Sequence, residues 1–273
     1  MRILDRYDGF VFDLDGTIYL GDVLLPGARA VVDEIRRLGK GLLYLTNKPL
    51  DPSWAYAERL TELGLPTAAD DVVSSLDSLV LYMDLHHPAA TVLCVSEPLV
   101  AARLRDAGHQ VTADAAQADV VVVSFDRTFD YTKLHAAYVA VAGGAVLVAT
   151  NPDAYCPTPD GGLPDCAAML AAIEACTGAK AEAVVGKPSE HMARALVRRL
   201  DMSPGRVLLT GDRIETDVAM AAQAGLDSAL VLTGATQLPL VHQPSSHPTY
   251  VFGSLQQLLV GTTARTPMRT EVT

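Results

Sequence analysis

Short apolar runs alternate with helix-patterned segments along nearly the whole chain, and that alternation limits the fold more than any other feature. Gly9–Phe12 reads as a buried strand, and Pro26-Gly27 then opens a helix with Val31, Ile35 and Leu38 on one face. Leu42–Leu45 is a second strand, a helix runs from Asp51-Pro52-Ser53 to about Leu63, and Val72-Val73 is a third strand. The pattern resumes with strands at Thr91–Val95, Asp119–Val123 and Ala145–Ala149, separated by helices at Pro98–Ala107 and Tyr131–Ala142. Asn151–Asp165 reads as a Pro/Gly/Asp-rich loop, and an Ala-rich helix follows from Cys166 to about Cys176. Val184-Val185, Val207–Leu209 and Ala229–Leu232 complete the strands, with helices reaching Leu200 and Ala224 between them. Such an order predicts an α/β protein built on parallel sheets with helices on both faces.

In such folds, ligands sit at the carboxyl ends of the strands. Four strand ends here carry the polar residues: Asp13-Leu14-Asp15-Gly16-Thr17, Thr46-Asn47, Gly186-Lys187-Pro188, and Gly211-Asp212 through Asp217. Asp13 and Asp15 fall on one side of an extended strand, so their carboxylates crowd together. A divalent cation held by hard oxygen ligands would relieve that repulsion, and Mg²⁺ suits two acids plus a phosphate. Taken singly, each segment also reads as something ordinary: a turn, a helix cap, a solvated lysine. Their joint occurrence, in this order and each after an apolar strand, points to a site.

Composition narrows the setting. No apolar run approaches the roughly 20 residues that span a bilayer, and Asp5 and Asp8 interrupt the start of the chain where a signal peptide would be apolar. Cys94, Cys156, Cys166 and Cys176 show no close paired spacing, which predicts free thiols and a cytoplasmic location. The net charge of −11 argues against nucleic acid and anionic membrane as partners. An anionic substrate would need a local cationic site, and screening over about 8–10 Å makes one feasible.

The ordered set of four motifs resembles the haloacid dehalogenase superfamily of phosphatases, in the NagD-like branch that includes 4-nitrophenyl-, pyridoxal- and sugar-phosphate phosphatases. Ser124-Phe125-Asp126-Arg127-Thr128-Phe129-Asp130-Tyr131, Ala149-Thr150-Asn151-Pro152-Asp153 and Val185-Gly186-Lys187-Pro188-Ser189 are similar to that branch as well, so the likeness covers almost everything but the tail. It implies a Rossmann-like, doubly wound core over residues 1–78 and 182–262, an inserted α/β cap over 79–181, and a flexible tail over 263–273.

The resemblance also assigns chemistry. Asp13 becomes the nucleophile that forms an aspartyl-phosphate, and Asp15 the acid/base that serves first the leaving alcohol and then the water. Mg²⁺ would be held by Asp13, the Asp15 carbonyl and Asp212, with Asp217 orienting the shell. Thr46 and Lys187 would bind the phosphoryl oxygens, with backbone groups near Gly16 and Asn47 completing the cradle. Haloalkanoate dehalogenases need neither the second acid nor the metal, so Asp15 and Asp212 favour phosphate-ester hydrolysis. Tyr155 and Cys156 occupy the branch's substrate-specificity loop; pyridoxal-phosphate phosphatases tend to have histidine where Cys156 stands, which weakens that assignment. The expectation is a phosphatase of small phosphorylated metabolites, foremost sugar phosphates. Pyridoxal, glycerol or glycolate phosphate are alternative substrates, and a phosphate-ligand sensor or scaffold is the alternative function. The branch also admits a homodimer through cap surfaces, which the residues leave open.

Overall fold

The computed structural model describes residues 2–158, 161–236 and 247–260. The expected tail, 263–273, lies outside them. The chain divides into two compact units. One holds Met1–Thr46, Ala57–Val72 and the chain from Leu196 onward, the other Asn47–Tyr56 and Val73–Ala195.

The first unit is organised by a six-stranded sheet in the order Tyr250–Phe252, Asp227–Val231, Val207–Gly211, Gly9–Asp13, Gly41–Thr46, Val72–Ser74. Gly9–Asp13 is central and pairs in parallel with Val207–Gly211 on one side and Gly41–Thr46 on the other. A central strand is covered on both faces, so its sequence is continuously apolar and Phe10, Val11 and Phe12 are all fully buried. Register aligns the polar ends: Asp13 pairs with Leu45, one residue before Thr46, and Phe12 pairs with Thr210, two residues before Asp212. Three neighbouring strands therefore release their polar residues at one edge.

The second unit carries a five-stranded sheet ordered Ala181–Val184, Val146–Ala149, Val120–Val123, Thr91–Val95, Gln110–Thr112, parallel throughout. The central Val120–Val123 shows how one strand serves two cores. Val120 and Val122 pack with Leu76, Leu79, Val100 and Leu104, from helices Ser75–His86 and Pro98–Asp106. Val121 and Val123 pack with Ala137, Ala140, Met169 and Ile173, from helices Tyr131–Ala142 and Cys166–Thr177. Each fully buried valine contributes about 1.5–3 kcal/mol by leaving water. Both sheets thus conform to the expected α/β class with parallel strands.

Some elements differ from the sequence reading. The segment expected to be a loop forms an antiparallel hairpin, Tyr155–Thr158 against Gly161–Pro164, with Cys156 opposite Leu163. A helix at Ser75–His86 was not anticipated, although Ser74 and Asp77 form a reciprocal cap: Ser74 N–H donates to Asp77 Oδ2 at 2.9 Å and Asp77 N–H to Ser74 Oγ at 3.4 Å. Short strands at Gln110–Thr112 and Tyr250–Phe252, and a small hairpin of Tyr19–Leu20 with Val23–Leu24, also escaped the pattern. Among the described residues no helix is long and apolar enough to cross a membrane, and the four cysteines are free thiols.

Candidate active site

Aligned strand ends in the first unit gather three acids. Carboxylate oxygens of Asp13, Asp212 and Asp217 lie within 4.8 Å of one another, and the residues are only 6%, 4% and 1% exposed. Like charges that close repel on the order of 3 kcal/mol per pair at an effective dielectric of ~20. Asp13 ends its strand, and Asp212 directly follows Val207–Gly211. Asp217 returns to the edge because the chain makes a π-helical turn over Ile214–Val218, where Val218 N–H reaches back to Arg213 O. In that turn Arg213 N–H donates to Asp217 Oδ2 at 3.1 Å.

Glycines make the room. A Cβ on Gly234 would stand 2.0 Å from Asp212 Oδ2, one on Gly16 2.6 Å from the same atom, and one on Gly211 2.2 Å from Asp217 Cγ. Gly16 also has φ +81°, a conformation glycine adopts without strain. Its N–H donates to Tyr19 O at 2.8 Å. The loop after strand Asp227–Val231 closes over the acids: Ala235 N–H donates to Asp212 Oδ2 at 2.5 Å, and Thr233 Oγ1 donates to Gly16 O at 2.6 Å. Thr233, Gly234 and Ala235 were not singled out from sequence, though Leu232-Thr233-Gly234 repeats the pattern of an apolar strand running into polar and glycine residues.

Three carboxylates, buried and cleared of side chains, form a hard-oxygen donor set that fits a small divalent cation. Asp15 stands outside this trio, half-buried and bridged to Tyr19 just beyond the strand. Thr46 is buried at the last position of Gly41–Thr46.

The remaining expected site residues belong to the second unit. Lys187 is buried, and Asn47 grips its main chain: Lys187 N–H donates to Asn47 Oδ1 at 2.7 Å, and Asn47 Nδ2 donates to Lys187 O at 3.2 Å. Tyr155 and Cys156 are adjacent on a strand and therefore face opposite ways: Tyr155 is 54% exposed, with its ring over Gly162, whereas Cys156 is buried. Asp165 caps the helix Cys166–Thr177 through Cys166 N–H at 2.6 Å, and its burial raises its pKa above the usual carboxylate value. Burial also pushes the Cys166 thiol up to about 11, which leaves it protonated and unreactive at neutral pH.

Residues 10–110 match the family model described as haloacid dehalogenase-like hydrolase, and residues 184–258 match a HAD-hydrolase-like model. The chain is 36% identical over 264 residues to the sugar-phosphatase AraL of Bacillus subtilis, covering 94% of this chain and 96% of the relative. The crystal structure of 4-nitrophenylphosphatase from Thermotoga maritima superposes with a TM-score of 0.87 at 31% identity, covering 94% of this chain and 98% of that one. NagD from Escherichia coli K-12 gives a TM-score of 0.83 at 28% identity, covering 92% and 97%. With strand ends, acidic trio and whole-chain likeness in agreement, the protein belongs to the haloacid dehalogenase-like hydrolases, as a phosphatase of the NagD-like branch.

Proposed function

We propose that this protein is a Mg²⁺-dependent phosphatase that hydrolyses monoesters of small phosphorylated metabolites, foremost sugar phosphates, through an aspartyl-phosphate on Asp13. The observation that carries the reading is the buried trio of Asp13, Asp212 and Asp217, an arrangement that a divalent cation would stabilise and that a purely structural core would avoid. The sugar-phosphate preference rests on the likeness to AraL, named as a sugar phosphatase. In this proposal residues 1–78 and 182–262 form the catalytic core and 79–181 the cap. The four free thiols suit a reducing compartment, which we take to be the cytoplasm.

Asp13, the Asp15 carbonyl and Asp212 would hold Mg²⁺, with Asp217 orienting them; when bound, the ion offsets the repulsion between the carboxylates and the incoming phosphate. Asp13 attacks phosphorus, the bond to the ester oxygen breaks, and Asp15 gives that oxygen a proton. Asp15, now a base, takes a proton from water as it attacks the acyl-phosphate, which frees Asp13 and inorganic phosphate. Thr46 and Lys187 bind the phosphoryl oxygens; their dipole and charge are already in place when the transferring group spreads its own. Asn47 holds Lys187, and Gly16 leaves Asp212 its space. Tyr155 and Cys156 sit on the hairpin assigned to reading the leaving group.

A phosphate-release panel tests this, with sugar phosphates, pyridoxal phosphate, glycerol phosphate and glycolate phosphate in the presence of Mg²⁺. Sugar phosphates are expected to give the highest kcat/KM. Release from none of these esters would turn the reading to a phosphate sensor.

A further inference from the structure

Lys187 is fixed at its main chain by a side chain 140 positions earlier in sequence. Asn47 uses its oxygen on Lys187 N–H and one amide hydrogen on Lys187 O. The other amide hydrogen meets Asp153 Oδ2 at 2.8 Å. Turning this amide over would set its oxygen against a carboxylate and a carbonyl, and its NH₂ against an N–H. The bond to Asp153 is the charge-assisted member of the set, and it therefore holds the amide most firmly in its working orientation. Gly186 keeps the approach close, since a Cβ there would lie 2.8 Å from Asn47 Oδ1 and 2.5 Å from Thr150 O.

Asp153 is seated from the other side. Its Oδ2 also accepts from Asn151 Nδ2 at 3.0 Å, and Asn151 Nδ2 lies 3.3 Å from Asp165 Oδ1. The Asp153 carbonyl accepts Ala167 N–H at 3.1 Å, which ties it to the first turn of the helix Cys166–Thr177. Asp153 and Asp165 flank the Tyr155–Pro164 hairpin, so one hydrogen-bonded chain runs from the base of that hairpin to Lys187.

We infer that Asp153 is a positioning residue for Lys187, acting through Asn47, and does not read the leaving group. This rests on the proposal that Lys187 binds the phosphoryl group. The phosphoryl group is common to every ester, so loosening Lys187 lowers turnover by one shared factor, whereas loss of a leaving-group contact would discriminate among esters.

The test compares wild type, Asp153→Ala and Asp153→Asn on a sugar phosphate, glycerol phosphate and 4-nitrophenyl phosphate, with inhibition by inorganic phosphate measured alongside. Asp153→Ala is expected to lower kcat/KM by about 10- to 100-fold on all three alike, and to raise the phosphate inhibition constant. Asp153→Asn keeps an oxygen acceptor for both amides and is expected to recover most of the loss. Asp153→Ser takes the place of Asp153→Ala if the latter does not fold. Losses that differ among the esters, an unchanged phosphate inhibition constant, or Asn failing as fully as Ala would each overturn the inference. Wild-type protein that released no phosphate from any ester would instead overturn the phosphatase reading, and this inference with it.

Discussion

At the carboxyl edge of the six-stranded sheet, Asp13, Asp212 and Asp217 bring three acids within 4.8 Å. At the same edge of the five-stranded sheet, beside the buried Asp126, Asp165 and Lys187, neutral groups complete one another: Thr150 Oγ1 lies 2.9 Å from Ser124 Oγ and 2.8 Å from Asn151 Oδ1. Both are parallel α/β sheets with apolar central strands, and both place polar residues where such sheets bind ligands. They differ in how the polar residues are satisfied. Hydroxyls and amides carry donors as well as acceptors and can complete one another, which makes a rigid frame. Ionised carboxylates only accept, and a cluster of them gains from a cation. The cation is accordingly assigned to the first edge, and the hydrogen-bonded seating of Lys187 to the second.

The harshest challenge to that division is Asp13→Asn. The amide is nearly isosteric and preserves the fold, yet it cannot form an acyl-phosphate, so kcat is expected to fall by at least about 10⁴-fold with Tm nearly unchanged. Turnover within a factor of a few of wild type would remove Asp13 as the nucleophile.

A smaller effect, of a different kind, belongs to the hairpin. Tyr155→Ala and Cys156→His should shift the ratio of kcat/KM between a sugar phosphate and pyridoxal phosphate by roughly 10- to 200-fold, the size of a single leaving-group contact. Tyr155 is the exposed member of the pair and is expected to move the ratio more than the buried Cys156. Equal losses on both substrates would mean the hairpin supports the site without reading the leaving group.

Gly234→Ala sharpens the claim that clearance matters, because its Cβ would stand 2.0 Å from Asp212 Oδ2. Displacing that carboxylate should lower kcat/KM by about 10- to 100-fold and raise the Mg²⁺ concentration needed for half-activity. A normal Mg²⁺ requirement in this variant would separate Asp212 from the metal.

The mildest prediction concerns the stability of the second unit. Burial raises the Asp165 pKa above its ordinary 3.8. The folded state then holds its proton more tightly than the unfolded chain, so this group's contribution to stability falls as pH rises from the unfolded value toward the folded one. Asp165→Asn removes that dependence while keeping an oxygen at the helix cap. Its Tm relative to wild type should therefore climb as pH is raised from about 4 to 7. A relative Tm that fell over that range would show the Asp165 charge to be stabilising.

Much of this was legible in the sequence because period and order are local properties. Val120–Val123 announces a strand buried on both faces, and four polar strand ends in a fixed order announce a site. Local pattern failed where structure depends on partners. The Tyr155–Pro164 hairpin contains Pro157, Pro164 and paired glycines, which read as a loop until one strand is set beside the other. Helix Ser75–His86 carries buried serines on its apolar side, Ser75 and Ser78, so its hydrophobic stripe is diluted and only the Ser74–Asp77 cap marks its start. Gly234 matters through a distance to Asp212, and Asn47 through bonds to a main chain 140 residues away; neither is a property of neighbouring letters.

The central claim is that the acidic trio holds the cation on which hydrolysis depends. Its most direct test is phosphate release from a sugar phosphate by exhaustively chelated protein, titrated with Mg²⁺, with wild type beside Asp212→Ala. The account predicts no release before addition, recovery of wild type on titration, and for Asp212→Ala a requirement about 10- to 100-fold higher or no recovery. Full activity of the chelated wild type, or an Asp212→Ala titration that overlays it, would contradict the claim.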